Sequence, residues 1–88
     1  MNIQFIGPAT VAKDGGVLFP AKLDDQALLC HFSYEVLEDV DTGAIQGDPL
    51  VLFAKHQLKL LSIAEQKIRA GHAHDGQVQV FTNDLPSD

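Results

Sequence analysis

Six stretches of the chain carry regular alternations of apolar and polar residues, and their spacing predicts three strands, two helices and a fourth strand. Asn2-Ile3-Gln4-Phe5-Ile6 alternates with the two-residue period of a half-buried strand before Gly7-Pro8 interrupts it. Val17-Leu18-Phe19 follows Asp14-Gly15-Gly16, whose glycines suit a tight reversal, and Pro20 is expected to end that strand or hold it at an edge. A third run, Ala27 to Phe32, follows a turn at Asp24-Asp25, so the first half reads as an antiparallel meander. Ser33 then caps a short helix over residues 34–40, with Val36, Leu37 and Val40 as its apolar stripe. Residues 41–47 hold two glycines and no periodicity, as a mobile loop would. A last strand over 77–82 follows the Asp75-Gly76 turn, and residues 85–88 are expected to fray.

The second helix is expected over 48–70 as one rod. Asp48 is a suitable cap, Pro49 fits the first helical position, and Gly71 sits where a left-handed terminator belongs. At about 1.5 Å per residue the rod would be roughly 33 Å long. A projection at 100° per residue puts Leu50, Phe53, Ala54, Leu61, Ala64 and Ile68 on one line, expected to face the sheet. Leu52, His56, Leu60 and Ile63 fall on a second arc, where a helix on one small sheet should carry charge. Three readings follow. The first helix or the loop bearing Ile45 covers the arc, the leucines are scattered surface residues, or a partner packs there, most simply in a symmetric homodimer.

The predicted fold class is therefore α+β: a small four-stranded, mostly antiparallel sheet with two helices on one face, in the order β-β-β-α-α-β. With 88 residues, 45% hydrophobic and 20% charged, the chain is expected to form a single domain over 1–88. Twelve acids against six bases give a net charge of -6, which opposes duplex binding. The basic residues of the second helix, Lys55, Lys59, Lys67 and Arg69, are the alternative: a regulatory or nucleic-acid-associated factor. One cysteine and no leader-like or spanning segment lead to the expectation of a cytoplasmic protein without membrane contact.

Sites for chemistry are sparse. His72 and His74 are weak candidates for a metal, since catalytic zinc needs three protein ligands and structural zinc four. Cys30 and His31 are neighbours on a strand and so point to opposite faces, which prevents the imidazole from activating the thiol. Asp24-Asp25 and Glu38-Asp39-Asp41 lack the alternating oxygen pattern of a calcium loop. No phosphate loop, dinucleotide motif or nucleophile elbow occurs in the chain. No catalytic residue and no cofactor is assigned, and the chain is expected not to be an enzyme.

The chain as a whole resembles the small bacterial proteins grouped as domain of unknown function 1488. The likeness is carried by Val17-Leu18-Phe19-Pro20-Ala21, Cys30 before Phe32-Ser33, and Leu37-Glu38-Asp39. It continues through Phe53, His56, Leu60, Ala64, Ile68 and Gly71 to Asp75-Gly76, Thr82 and Asp84-Leu85. The resemblance implies an α+β protein of about this length and no transferable activity. Gln57 departs from it, because the family typically carries arginine after the helix histidine, and His56 is the neighbouring position to watch. The leading expectation is a non-enzymatic interaction module that self-associates through helix 48–70, with Leu52, His56, Leu60 and Ile63 as its surface.

Overall fold

The computed structural model describes residues 2–40 and 48–84. The loop expected at 41–47 and the frayed end expected at 85–88 lie outside the described residues. In chain order the elements are β1 (Ile3–Phe5), β2 (Thr10–Val11), β3 (Val17–Leu23), β4 (Gln26–Phe32), α1 (Tyr34–Val40), α2 (Pro49–Lys55), α3 (Gln57–Arg69) and β5 (Gln77–Val80). A 3-10 turn at Thr82–Asp84 follows. The strands form one sheet in the order β1-β3-β4-β5, and β2 extends the β1 side by pairing with β3.

The meander is antiparallel, as the short connections predicted, with Phe5 opposite Ala21 and Phe19 opposite Cys30. β5 runs parallel to β4, Cys30 opposite Val78, because the three helices form the crossover between those strands. Two strand predictions need correction. β2 was not expected, and β3 does not stop at Pro20 but continues to Leu23. Pro20 is tolerated because its carbonyl, and with it the side of the missing N–H, faces the gap between β1 and β2. There both Ile6 N–H and Gly7 N–H donate to that carbonyl, at 2.9 and 3.1 Å. The proline therefore removes no bond from the β3–β4 ladder.

The expected rod over 48–70 is two helices. Asp48 caps α2 by accepting from Leu50 N–H at 2.9 Å, with Pro49 in the first turn. At His56 the backbone leaves helical geometry (φ -121°, ψ 23°); its N–H donates to Phe53 O, and its carbonyl accepts from Leu60 N–H. No glycine or proline marks this break. Its consequence is large, because each segment can turn its own apolar stripe inward. α2 buries Leu52 and Phe53, while α3 buries Leu60, Leu61, Ile63, Ala64 and Ile68. Ala54, expected against the sheet, is exposed. The second arc thus fills the core within the chain, with Leu52 4%, Leu60 0% and Ile63 8% exposed.

The core also takes Val17, Phe19 and Ala21 from β3, Leu28, Cys30 and Phe32 from β4, and Val78 and Val80 from β5. These alternate positions all belong to the face of the sheet that meets the helices. Phe53 links the layers, its ring centroid 5.5 Å from that of Phe19 and 5.1 Å from that of Phe32.

Candidate interaction surface

With every helix on one side, the other face of the sheet is uncovered among the described residues. Strand alternation places Gln4 from β1, Thr10 from β2, Leu18, Pro20 and Lys22 from β3, Ala27, Leu29 and His31 from β4, and Gln77 and Gln79 from β5 on that face. Its centre is apolar: Pro20 lies opposite Leu29, next to Leu18, and all three are half-buried. The composition of β3 and β4 explains why. Val17 to Ala21 and Ala27 to Cys30 are unbroken apolar runs, so both faces of these strands are apolar. Such runs characterise strands covered on both sides, whereas a strand facing water alternates.

One end of this face is built on an imidazole–carboxylate pair. His31 Nε2 lies 2.9 Å from Asp14 Oδ2, and Asp14 Oδ1 accepts from Gly16 N–H at 3.0 Å. The Gly16 N–H, and after it the His31 imidazole, hold the Asp14 carboxyl below its ordinary value. Lys22 occupies the other end of β3, four residues from Leu18.

The free edge of β5 is closed. Parallel pairing turns the main-chain groups of Gly76, Val78 and Val80 toward β4, as the bonds from Leu29 N–H to Gly76 O and Ser33 N–H to Val80 O show. Gln77, Gln79 and Phe81 therefore direct theirs outward. Gln77 exchanges two bonds with His74 across the Asp75-Gly76 turn, where both φ angles are positive. Lys67 Nζ donates to Gln79 O, and Asp84 Oδ2 accepts from Phe81 N–H at 2.9 Å and from Lys67 Nζ at 2.8 Å. Partial desolvation raises the Asp84 pKa, but the Lys67 bond, the Phe81 N–H and the Lys67 charge outweigh it and leave the carboxyl below its ordinary value.

The remaining candidates separate. His72 and His74 border a shallow groove of about 460 Å³ with Lys67, Asp75, Gln77, Gln79 and Phe81. Among the described residues no three His, Cys, Asp or Glu side chains are clustered to hold a metal ion. Cys30 is fully buried, and desolvation pushes its thiol up to about 11, while His31 projects to the opposite face. Of the four bases on the helices, Lys67 is engaged with Asp84 and Arg69 Nε donates to Glu65 at 3.2 Å. Leu52, Leu60 and Ile63 are core residues, and His56 forms the junction of α2 and α3. The sheet face was missed because surplus apolar surface was sought only on the second helix, and the outward positions of β3 and β4 were not weighed. The unbroken apolar runs were the available sign.

A family model described as "Protein of unknown function (DUF1488)" matches residues 3–80. Among solved structures, the chain is similar to a protein of unknown function from the same family in Shewanella loihica PV-4. The two are 24% identical, with a TM-score of 0.76 over 91% of this chain and 94% of that one. No curated protein matches the chain.

Proposed function

This chain belongs to the DUF1488 family of proteins of unknown function, and from that premise we propose that it is a non-enzymatic interaction module whose contact surface is the open face of its sheet. The observation that carries the reading is the apolar centre formed by Leu18, Pro20 and Leu29 on the side away from the helices. It replaces the arc of Leu52, Leu60 and Ile63 as the site of association, since those side chains are spent on the core. The free thiol of Cys30, buried and held protonated, fits a reducing, cytoplasmic setting. The alternative of a nucleic-acid-associated factor loses support from the pairing of Lys67 and Arg69 with carboxylates.

Photo-crosslinking inside cells tests the proposal. A photoreactive residue at position 29 should yield protein adducts, while one at position 38, on the exposed acidic side of α1, should yield none. Equal labelling from both positions, or none from position 29, would overturn it.

A further inference from the structure

We infer that the occupant of the open sheet face is a second copy of this chain, packed sheet to sheet with its strands reversed. This inference rests on the reading of that face as a contact surface. The first argument is charge. The chain carries a net charge of -6, and a protein surface is typically about 25–35% charged. Of the ten outward strand positions named above, Lys22 alone bears a formal charge, so two copies meet here without the repulsion that their other surfaces would impose.

The second argument concerns the two ends of the face, which have opposite character. Lys22 stands at one end of β3. At the other, about 13 Å away along the strand at about 3.3 Å per residue, Asp14 is held against His31 beside Leu18. A twofold axis lying in the interface, across the strands through Pro20 and Leu29, reverses the second copy. It places Lys22 over the Asp14 end of the other chain, and Lys13 toward the Asp24-Asp25 turn. A twofold axis along the strands would instead set Lys22 against Lys22 and Asp14 against Asp14. Charge therefore selects the reversed arrangement.

Edge-to-edge joining of two sheets is the competing geometry, and the fold opposes it. The β5 edge is occupied by His74, Lys67 and Asp84, and the opposite edge is split into β1 and β2 on either side of Gly7-Pro8. Size sets the strength. Four strands about 4.8 Å apart and about six residues long project to on the order of 400 Å². A standard interface buries about 800 Å² per partner, so this dimer is weak and concentration-dependent.

Sedimentation of the purified full chain tests the inference, with mass rising toward twice that of one chain between micromolar and millimolar concentration. Leu29→Lys should raise the dimer dissociation constant by about tenfold or more, since it buries a charge at the centre, while circular dichroism and the urea midpoint stay unchanged. Geometry is read by a short bismaleimide. Facing sheets pack about 10 Å apart, so Leu29→Cys, on the axis, should couple to its own copy, and Lys22→Cys, off the axis, should not. A single-chain mass at millimolar concentration, or coupling through position 22 with none through position 29, would overturn the inference. The two readings fail separately: in-cell adducts from position 29 with no doubled mass of this chain remove the second copy and keep the contact surface. Silence from position 29 removes both.

Discussion

Leu58 and Leu60 lie two residues apart on α3, the first 86% exposed and the second fully buried, and this pair tests whether the second apolar arc belongs to the core. Truncating a buried leucine to alanine removes its transfer energy and leaves a cavity, at a cost of about 2–5 kcal/mol. At roughly 0.05–0.15 kcal/mol per residue the whole domain holds about 4–13 kcal/mol, so Leu60→Ala should remove a large share of it. A mid-range loss of about 3 kcal/mol corresponds to a fall in Tm on the order of 15–20 °C for a domain of this size. Leu58→Ala should stay within about 0.5 kcal/mol of the wild type, because the side chain is solvated and alanine favours the helix. Urea titration followed by circular dichroism, at two well-separated protein concentrations, measures both. The cost of Leu60→Ala should be the same at each concentration. A cost that vanishes on dilution would show that another chain covers Leu60, and an effect below about 0.5 kcal/mol at both concentrations would show that it is not packed in the core; either would refute the reasoning.

The clamp on β5 predicts a pH effect. The Asp84 carboxyl is depressed in the folded state, so its contribution is present above the unfolded value near 4 and is lost as pH falls through the lower folded value. Asp84→Asn should cost about 1 kcal/mol at neutral pH, a figure discounted for solvent screening, and should flatten the acid limb of the stability curve. An unchanged acid limb in the variant would exclude that role. Cys30, with its thiol at about 11, should resist alkylation at neutral pH until urea unfolds the chain; rapid native labelling would contradict its burial. Gly16→Ala should be severely destabilising, by about 3 kcal/mol or more, since a Cβ there would stand 2.2 Å from Phe32 O. A thermal melt close to wild type would show that the turn can shift.

Much of this architecture was legible in the residues, and the failures have specific causes. Alternation located β1, β3, β4 and β5, and the cap at Asp48 with Pro49 located the start of α2. The Asp75-Gly76 turn was legible because both residues must take positive φ, which aspartate and glycine adopt most readily. The break at His56 was not legible, because it carries neither glycine nor proline and is decided by packing. A single rod could turn only one stripe to the sheet, whereas two segments bury Leu52 and Phe53 separately from Leu60 and Ile63. Pro20 misled for a related reason. Its missing N–H matters only if a partner strand faces it, and the gap between β1 and β2 is a property of the assembled sheet.

Sequence alone therefore determined the α+β class, the positions of the main strands and the place of Cys30 in the core, all of which follow from local periodicity and residue chemistry. The partition of apolar surface between core and contact face was decided by the tertiary structure. Leu60 and Leu29 are both leucines with apolar neighbours, and only the placement of three helices on one side of the sheet encloses the first and leaves the second half open. Burial is a property of which elements meet, and that depends on the closure of the whole chain.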